Sequence, residues 1–351
     1  MNYQTLTLLL VTAGTLLGAR HAGAQTLLDV ACSSPPPAHC QSGDCAAKIA
    51  EPGTATDPET GRLFYLDYPC DLQPDEDVVF ILNIHGAGSI ANWQRHYFPA
   101  MDYKETDRLV VATPTAAGSG SMGSGPGIRM WMPAEDDAHL KNITRLVIDA
   151  VGAANIRAFW LAGHSQGGAT SHRLVCTPFY RDKVDGLLSL SGGRIGRAEL
   201  VPAFGPPLPD GSPPPPRERR FPEMDLPDCE FSHIYTTGEY EIVALPETSV
   251  WAEHYACDDR VRQPVVVDTE PGWVADSARQ GYKVWGMSAR PGRAEVFLYQ
   301  NCADGRVVAD VVRMDKGHTE GLEPKVTQRI LELMLSAPGG KVSGMQTNPD
   351  T

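Results

Sequence analysis

A short apolar segment that runs straight into a glycine-rich turn is the feature that most constrains the fold of this chain. Residues 158–162 read AFWLA, which is typical of a strand buried on both faces, and GHSQG follows at once at 163–167. The next residues, 169–176, can form a helix. A serine held on so tight a turn between strand and helix needs small neighbours, and the glycines at both ends of the motif provide them. We therefore predict a strand–turn–helix unit that presents Ser165.

The same alternation of strand and helix extends along most of the chain. Helices are expected at 135–151 and 323–335, where apolar residues recur at helical spacing. Strands are expected at 62–68, 78–84, 109–113, 184–191, 232–237, 293–299 and 307–314. This order indicates an α/β fold, with a mostly parallel central sheet and helices on both faces.

The chain begins with features of an exported protein. Residues 6–17 are apolar but too few to span a bilayer, and Ala22-Gly23-Ala24 stands before Gln25 as a signal-peptidase site would. We predict a signal peptide at 1–24, cleavage near Ala24–Gln25, and a secreted or periplasmic protein. No later segment is long and apolar enough to predict a membrane span.

Changes in composition divide the remaining chain. Residues 25–60 are rich in Cys and Pro and are interpreted as an N-terminal extension. Residues 61–337 are predicted to form one domain, interrupted at about 202–222 by a Pro-rich insertion without core-forming capacity. Residues 338–351 are expected to be a flexible C-terminal tail.

Composition and charge exclude several classes of protein. The 351 residues are 42% hydrophobic, enough for a large core, and the formal net charge of −13 argues against a nucleic-acid partner. The eight cysteines all follow the predicted cleavage site, which favours disulfides. They form no CxxC pair and no common zinc spacing, so we expect no metal.

A second small-residue loop follows an earlier predicted strand. HGAG at 85–88 comes directly after the apolar run at 78–84, where an oxyanion-binding loop is expected. We assign the oxyanion donors to the backbone N–H groups of Ala87 and Gln166. His85 is interpreted as holding the loop rather than taking part in chemistry.

A general base is expected late in the chain, after the last strand. Of the ten histidines, His318 has this position, in a glycine-containing loop before the final helix. The acid that would orient it should follow the strand at 232–237. Residue spacing leaves the candidates open: Glu239, Glu241, Asp258 and Asp259.

GHSQGG, HGAG and the late Gly-His together resemble the secreted esterases related to polyhydroxybutyrate depolymerases and feruloyl esterases, over roughly residues 63–335. The resemblance implies the α/β-hydrolase fold and a disulfide between Cys257 and Cys302. In that family the acid comes three residues after a glycine that ends the strand, which selects Glu241 after Gly238. The family has Asp there, so Glu241 is a departure from its pattern.

Together these features predict a serine esterase with the triad Ser165, His318 and Glu241, needing no metal or organic cofactor. Its expected partner is a carboxylic ester of the feruloyl, acetyl or polyester type, polymeric esters included. Trp93 and Trp131 are candidates for the wall of a substrate pocket. The alternatives are a serine peptidase or amidase on the same fold and a non-catalytic binding protein.

Overall fold

The structure is a computed structural model that describes residues 26–32, 53–120, 128–194, 199–202, 208–212, 214–219, 228–245, 247–273, 284–286 and 290–345. The predicted signal peptide, with its cleavage site, lies outside the described residues, as do Cys40 and Cys45. No helix in the described ranges has the length and apolar character needed to cross a bilayer.

The strands in chain order are β1 (Thr26–Leu27), β2 (Val30–Ala31), β3 (Thr54–Thr56), β4 (Leu63–Asp67), β5 (Val78–Ile84), β6 (Leu109–Pro114), β7 (Ser119–Gly120), β8 (Ile128–Arg129), β9 (Ile156–His164), β10 (Gly186–Leu190), β11 (Glu199–Val201), β12 (Arg217–Arg219), β13 (Ser232–Gly238), β14 (Arg260–Arg262), β15 (Val266–Val267), β16 (Arg293–Tyr299) and β17 (Val308–Met314). The helices are α1 (Ala91–Tyr97), α2 (Lys104–Asp107), α3 (Pro133–Val151), α4 (Gln166–Val175), α5 (Val250–His254), α6 (Pro324–Ser336) and α7 (Lys341–Gly344).

One large sheet organises the described chain. Its central strands are parallel and lie in the order β6-β5-β9-β10-β13-β17. Antiparallel strands extend both ends: β4 and β3 beside β6, and β16 with β14 and β15 beside β17. This is the mostly parallel α/β sheet that the sequence predicted, with the strand arrangement of an α/β-hydrolase fold.

The apolar runs are explained by a core on each face of the sheet. In β5, Phe80 and Leu82 belong to one core, whereas Val79 and Ile81 belong to the other. Helix α3 packs into the first core and helix α6 into the second. Because both faces are covered, a central strand has no polar face and its sequence does not alternate.

The parallel order brings several loops to one edge of the sheet. The carboxyl ends of β5, β9, β10, β13 and β17 all point the same way, and loops at such an edge are where α/β proteins place their ligands. Residues far apart in the chain, from His85 to His318, can therefore meet there.

The ends of the domain differ from the predicted boundaries. Strand β3 pairs with β4 and so belongs to the main sheet, which means that the domain begins before residue 61. At the other end α7 packs on the domain, with Val342 fully buried, whereas we expected a flexible tail from residue 338. Strand β11, directly before the Pro-rich insertion, pairs with β12 inside the insertion as a two-stranded antiparallel ribbon.

Three disulfides are present among the described cysteines. They join Cys32 to Cys70, Cys176 to Cys229, and Cys257 to Cys302. The last of these is the bond that the family resemblance implied. It ties the segment after α5 to the segment after β16.

Candidate active site

Ser165 lies on the sharp turn between β9 and α4. Its backbone has φ 52° and ψ −118°, a strained conformation for a residue with a side chain. The turn is tight enough that a Cβ on Gly167 would lie 2.2 Å from the carbonyl oxygen of Ile84. Glycine is therefore required where α4 passes the end of β5, and the turn holds the Ser165 side chain at the sheet edge.

Three side chains form a continuous hydrogen-bonded chain at this edge. The Ser165 Oγ lies 2.8 Å from Nε2 of His318, and Nδ1 of His318 lies 2.5 Å from Oε2 of Glu241. His318 and Glu241 are buried, 6% and 3% exposed. Because the carboxylate accepts from Nδ1–H, Nε2 is left to accept the serine proton, which is the tautomer that a general base needs.

The electrostatic environment keeps Glu241 ionised. Burial works to raise the pKa of this carboxyl, but the charge and hydrogen bond of His318 and the donors Ser191 and Gly238 outweigh it and lower the pKa to about 2. Both donors bind Oε1, at 2.6 Å from the Ser191 Oγ and 2.8 Å from the Gly238 N. Oε2 is thereby directed at His318.

The backbone and ring of His318 are held from several sides. Its carbonyl oxygen accepts from Nε2 of His164 at 2.8 Å and from the Tyr97 hydroxyl at 3.3 Å. The Trp285 ring lies 5.4 Å from the imidazole ring, and the His318 N–H donates to the carbonyl of Val284. Burial lowers the pKa of His164 to about 3, so this histidine is neutral and acts as a fixed donor.

The HGAG loop lies against the turn that carries Ser165. A Cβ on Gly86 would come within 3.1 Å of the Ser165 Cβ, which shows how closely this backbone approaches the nucleophile. In the described part of the chain the Ala87 N–H donates no hydrogen bond. The Gln166 N–H is the first of α4 and, like all first-turn N–H groups, has no partner inside the helix. The N–H groups of Ala87 and Gln166 therefore stay the candidate oxyanion donors.

The loop is fixed from behind by His85. Its Nε2 accepts from the Ala116 N–H at 2.9 Å, so the proton is on Nδ1, which donates to the Gly86 carbonyl at 2.7 Å. Burial lowers the pKa of His85 to about 4 and keeps it neutral in this role. His85 therefore holds the loop, as expected from the sequence.

Trp131 supports the same loop. It is 3% exposed, its Nε1 donates to the His85 carbonyl at 2.7 Å, and the two rings are 4.7 Å apart. Its backbone N–H and carbonyl also pair with the side-chain amide of Gln166, at 3.0 and 3.2 Å. These hydrogen bonds connect the HGAG loop to the residue that follows Ser165, and the role of Trp131 in a pocket wall stays a prediction.

Trp93 is the second tryptophan that we predicted for a pocket wall. It is half-buried, packs with Ile90 beside the HGAG loop, and lies 6.2 Å from the ring of Trp273. Trp273 in turn is joined to the loop of His318, since its carbonyl accepts from the Gly321 N–H. Half-buried tryptophan rings thus lie on elements that border the site.

The alternative acids bind elsewhere. Glu239 accepts from the Asp315 N–H at 2.8 Å, and Asp258 accepts from the side chain of Asn301 at 2.7 Å. Within the described residues the group with metal-ligand spacing is Cys32, Cys70 and Glu105. Its two sulfur atoms form a disulfide and are not thiolates, so this group does not suit a metal ion.

Sequence reasoning missed the residues that hold His318 and Glu241. Ser191, Tyr97 and Trp285 are in no motif, and each reaches the site from a segment distant in the chain. His164 stands next to Ser165 in the motif. Its bond to the His318 carbonyl gives it a supporting role that the sequence did not predict.

Comparison with known proteins yields distant structural similarities. No family model matches the chain, and no curated protein does. The acetyl xylan esterase from Aspergillus awamori aligns with 80% of this chain and 98% of its own, at 12% identity and a TM-score of 0.44. Esterase 2 of Thermogutta terrifontis in its apo form aligns over 54% and 72%, at 14% identity and a TM-score of 0.32. A soluble variant of Saccharomyces cerevisiae monoglyceride lipase aligns over 37% and 41%, at 18% identity and a TM-score of 0.29. At these TM-scores the function must be inferred from this chain's own site.

Proposed function

We propose that this protein is a secreted serine hydrolase that cleaves carboxylic esters through an acyl-enzyme intermediate. The observation that carries the proposal is the hydrogen-bonded chain from the Ser165 Oγ through His318 to Glu241, at 2.8 and 2.5 Å. Nucleophilic acyl transfer requires a serine on a strained turn, a base whose free nitrogen faces that serine, and a buried carboxylate that binds the other nitrogen of the base.

Each step of the proposed reaction is assigned to a group at this site. His318 takes the proton of Ser165 as the Oγ attacks the ester carbonyl, and Glu241 stabilises the imidazolium that forms. The N–H groups of Ala87 and Gln166 receive the charge that develops on the carbonyl oxygen. His318 then protonates the leaving alcohol and activates a water that hydrolyses the acyl-enzyme.

The half-buried tryptophans support a substrate that carries a ring. The Trp285 ring lies 5.4 Å from the His318 ring, and Trp93 packs with Ile90 beside the oxyanion loop. Indole faces bind aromatic and sugar rings well, so feruloyl and acetyl-sugar esters rank above aliphatic polyesters. The three disulfides support export to an oxidising compartment.

Hydrolysis of p-nitrophenyl acetate by the purified protein tests the reaction. Ser165→Ala should lower kcat by about a thousandfold or more, because it removes the nucleophile. Ser336→Ala is the matched control, since that hydroxyl bonds the Leu333 carbonyl at the end of α6. Wild-type protein that neither turns over esters nor is labelled by a fluorophosphonate would contradict the proposal.

A substrate panel then tests the finer assignment. It should contain feruloyl esters, acetylated sugars, polyester films and a peptide series, each assayed with wild-type protein and with Ser165→Ala. Higher kcat/KM on ring-bearing esters supports the role of the tryptophans. Faster turnover of peptides than of esters would instead identify an amidase.

A further inference from the structure

Ser191 lies where the strand next to the nucleophile strand ends, and it contacts the candidate acid. It follows β10 directly, is 2% exposed, and its backbone has φ 52°. Its hydroxyl donates to Oε1 of Glu241 at 2.6 Å. A buried hydroxyl that donates to a buried carboxylate is a strong interaction, because both groups have left water and the acceptor is charged.

The turn that carries Ser191 also contacts the nucleophile. The carbonyl of Leu190 accepts from the Ser165 N–H at 2.8 Å, and the Ser191 N–H donates to the Thr236 carbonyl on β13 at 2.7 Å. The end of β10 is thereby bonded on one side to the serine turn and on the other to the strand that leads to Glu241. The direction of the Ser191 side chain is set by these two backbone bonds and the left-handed backbone.

We propose that Ser191 is a positioning residue for the reaction proposed above, which orients the Glu241 carboxylate towards His318. Glutamate has one more rotatable bond than aspartate, so its carboxylate can turn away from the imidazole unless something holds it. Ser191 and the Gly238 N–H both bind Oε1, so rotation about the terminal bond would break two hydrogen bonds. Oε2 is left for Nδ1 of His318 alone.

Two variants at the end of β10 separate this role from general support of the fold. Ser191→Ala keeps the Cβ and the backbone strain and removes only the hydroxyl that reaches Glu241. Ser189→Ala, two residues earlier, removes an equally buried hydroxyl, which donates to the Gly193 carbonyl at 2.7 Å. We expect kcat for p-nitrophenyl acetate to fall roughly tenfold to a hundredfold in Ser191→Ala, with little change in KM, and less than about twofold in Ser189→Ala.

A double-mutant cycle tests whether Ser191 acts through Glu241. On a Glu241→Gln background, Ser191→Ala should lower kcat by less than about twofold, because no carboxylate is left to orient and the Gly238 N–H still binds the amide oxygen. Effects that multiply in the double variant would show that Ser191 acts by another route and would overturn the proposal.

A spectroscopic measurement tests the proposal without substrate. The Nδ1 proton of His318 bonds the carboxylate at 2.5 Å and should give a far-downfield proton resonance, lost in His318→Ala. Ser191→Ala should shift or broaden this resonance, whereas Ser189→Ala should leave it in place. If the protein hydrolyses no ester, this comparison still decides the role of Ser191. An unchanged resonance in Ser191→Ala would refute it.

Discussion

Replacing Glu241 by glutamine removes the charge of the proposed acid while keeping the shape of its side chain. The hydrogen bonds around the carboxylate determine the orientation that the glutamine amide would take. Oε1 accepts two donors, from Ser191 and from the Gly238 N–H, so the amide oxygen of glutamine must take that position. The amide NH₂ then faces Nδ1 of His318.

The rate effect follows from the tautomer that this arrangement imposes. An NH₂ donating to Nδ1 makes that nitrogen an acceptor and moves the ring proton to Nε2, which lies 2.8 Å from the Ser165 Oγ. A protonated Nε2 cannot take the serine proton. We expect kcat to fall about 10³- to 10⁴-fold, which corresponds to about 4 to 5 kcal/mol in activation free energy.

The assay is hydrolysis of p-nitrophenyl acetate by Glu241→Gln beside Glu239→Gln, with the fold of each variant checked by its melting temperature. Glu239 accepts a hydrogen bond from the Asp315 N–H outside the triad, and Glu239→Gln should lower kcat by less than about tenfold. Glu241 is not the triad acid if Glu241→Gln keeps more than a tenth of wild-type activity, or if Glu239→Gln is the more damaging variant.

Three further predictions concern stability. In Gly167→Ala the new Cβ would lie 2.2 Å from a backbone carbonyl oxygen, so thermal unfolding should show that the free energy of unfolding falls by about 3 kcal/mol. In the control Gly344→Ala the new Cβ has no atom within 4 Å, so this variant should melt within about 1 °C of wild type. Equal melting temperatures of the two variants would show that the turn at Gly167 can accept a side chain. Removing the bond between Cys257 and Cys302 by a double alanine substitution opens a loop with a sequence separation of 45 and should lower the free energy of unfolding in denaturant by about 4 kcal/mol. An unchanged denaturant midpoint of unfolding would show that this disulfide does not constrain the unfolded chain. The folded-state pKa of Glu241 is lowered from 4.5 to about 2, so its carboxylate contributes stability above pH 4.5 that is lost as the pH falls through 2. Unfolding free energies between pH 6 and pH 2 should therefore decline less in Glu241→Gln than in wild type, and parallel curves would refute the assignment.

The fold was predictable because its signals are local. Continuous apolar runs such as 78–84 predict strands covered on both faces, and helical spacing at 135–151 predicted α3, which the structure gives as Pro133–Val151. Short elements such as α1 and α7 were not predicted. Seven or fewer residues carry too little periodicity to distinguish a helix from a loop, and the burial of Val342 depends on contacts with distant parts of the chain.

The sequence by itself determined the candidate nucleophile and base, because Ser165 and His318 stand in motifs whose small neighbours and positions are visible in one dimension. Residue spacing left the acid open among several carboxylates, since a hydrogen bond across strands has no local signature, and Glu241 was selected by the family resemblance alone. Only the order β9-β10-β13-β17 decided that Glu241, and neither Glu239 nor Asp258, reaches His318, and that Ser191 reaches Glu241. The physical reason is that a parallel sheet brings the ends of strands that are distant in the chain within a few ångströms of each other. The sequence shows where each strand lies in the chain but not which strands are neighbours in the sheet.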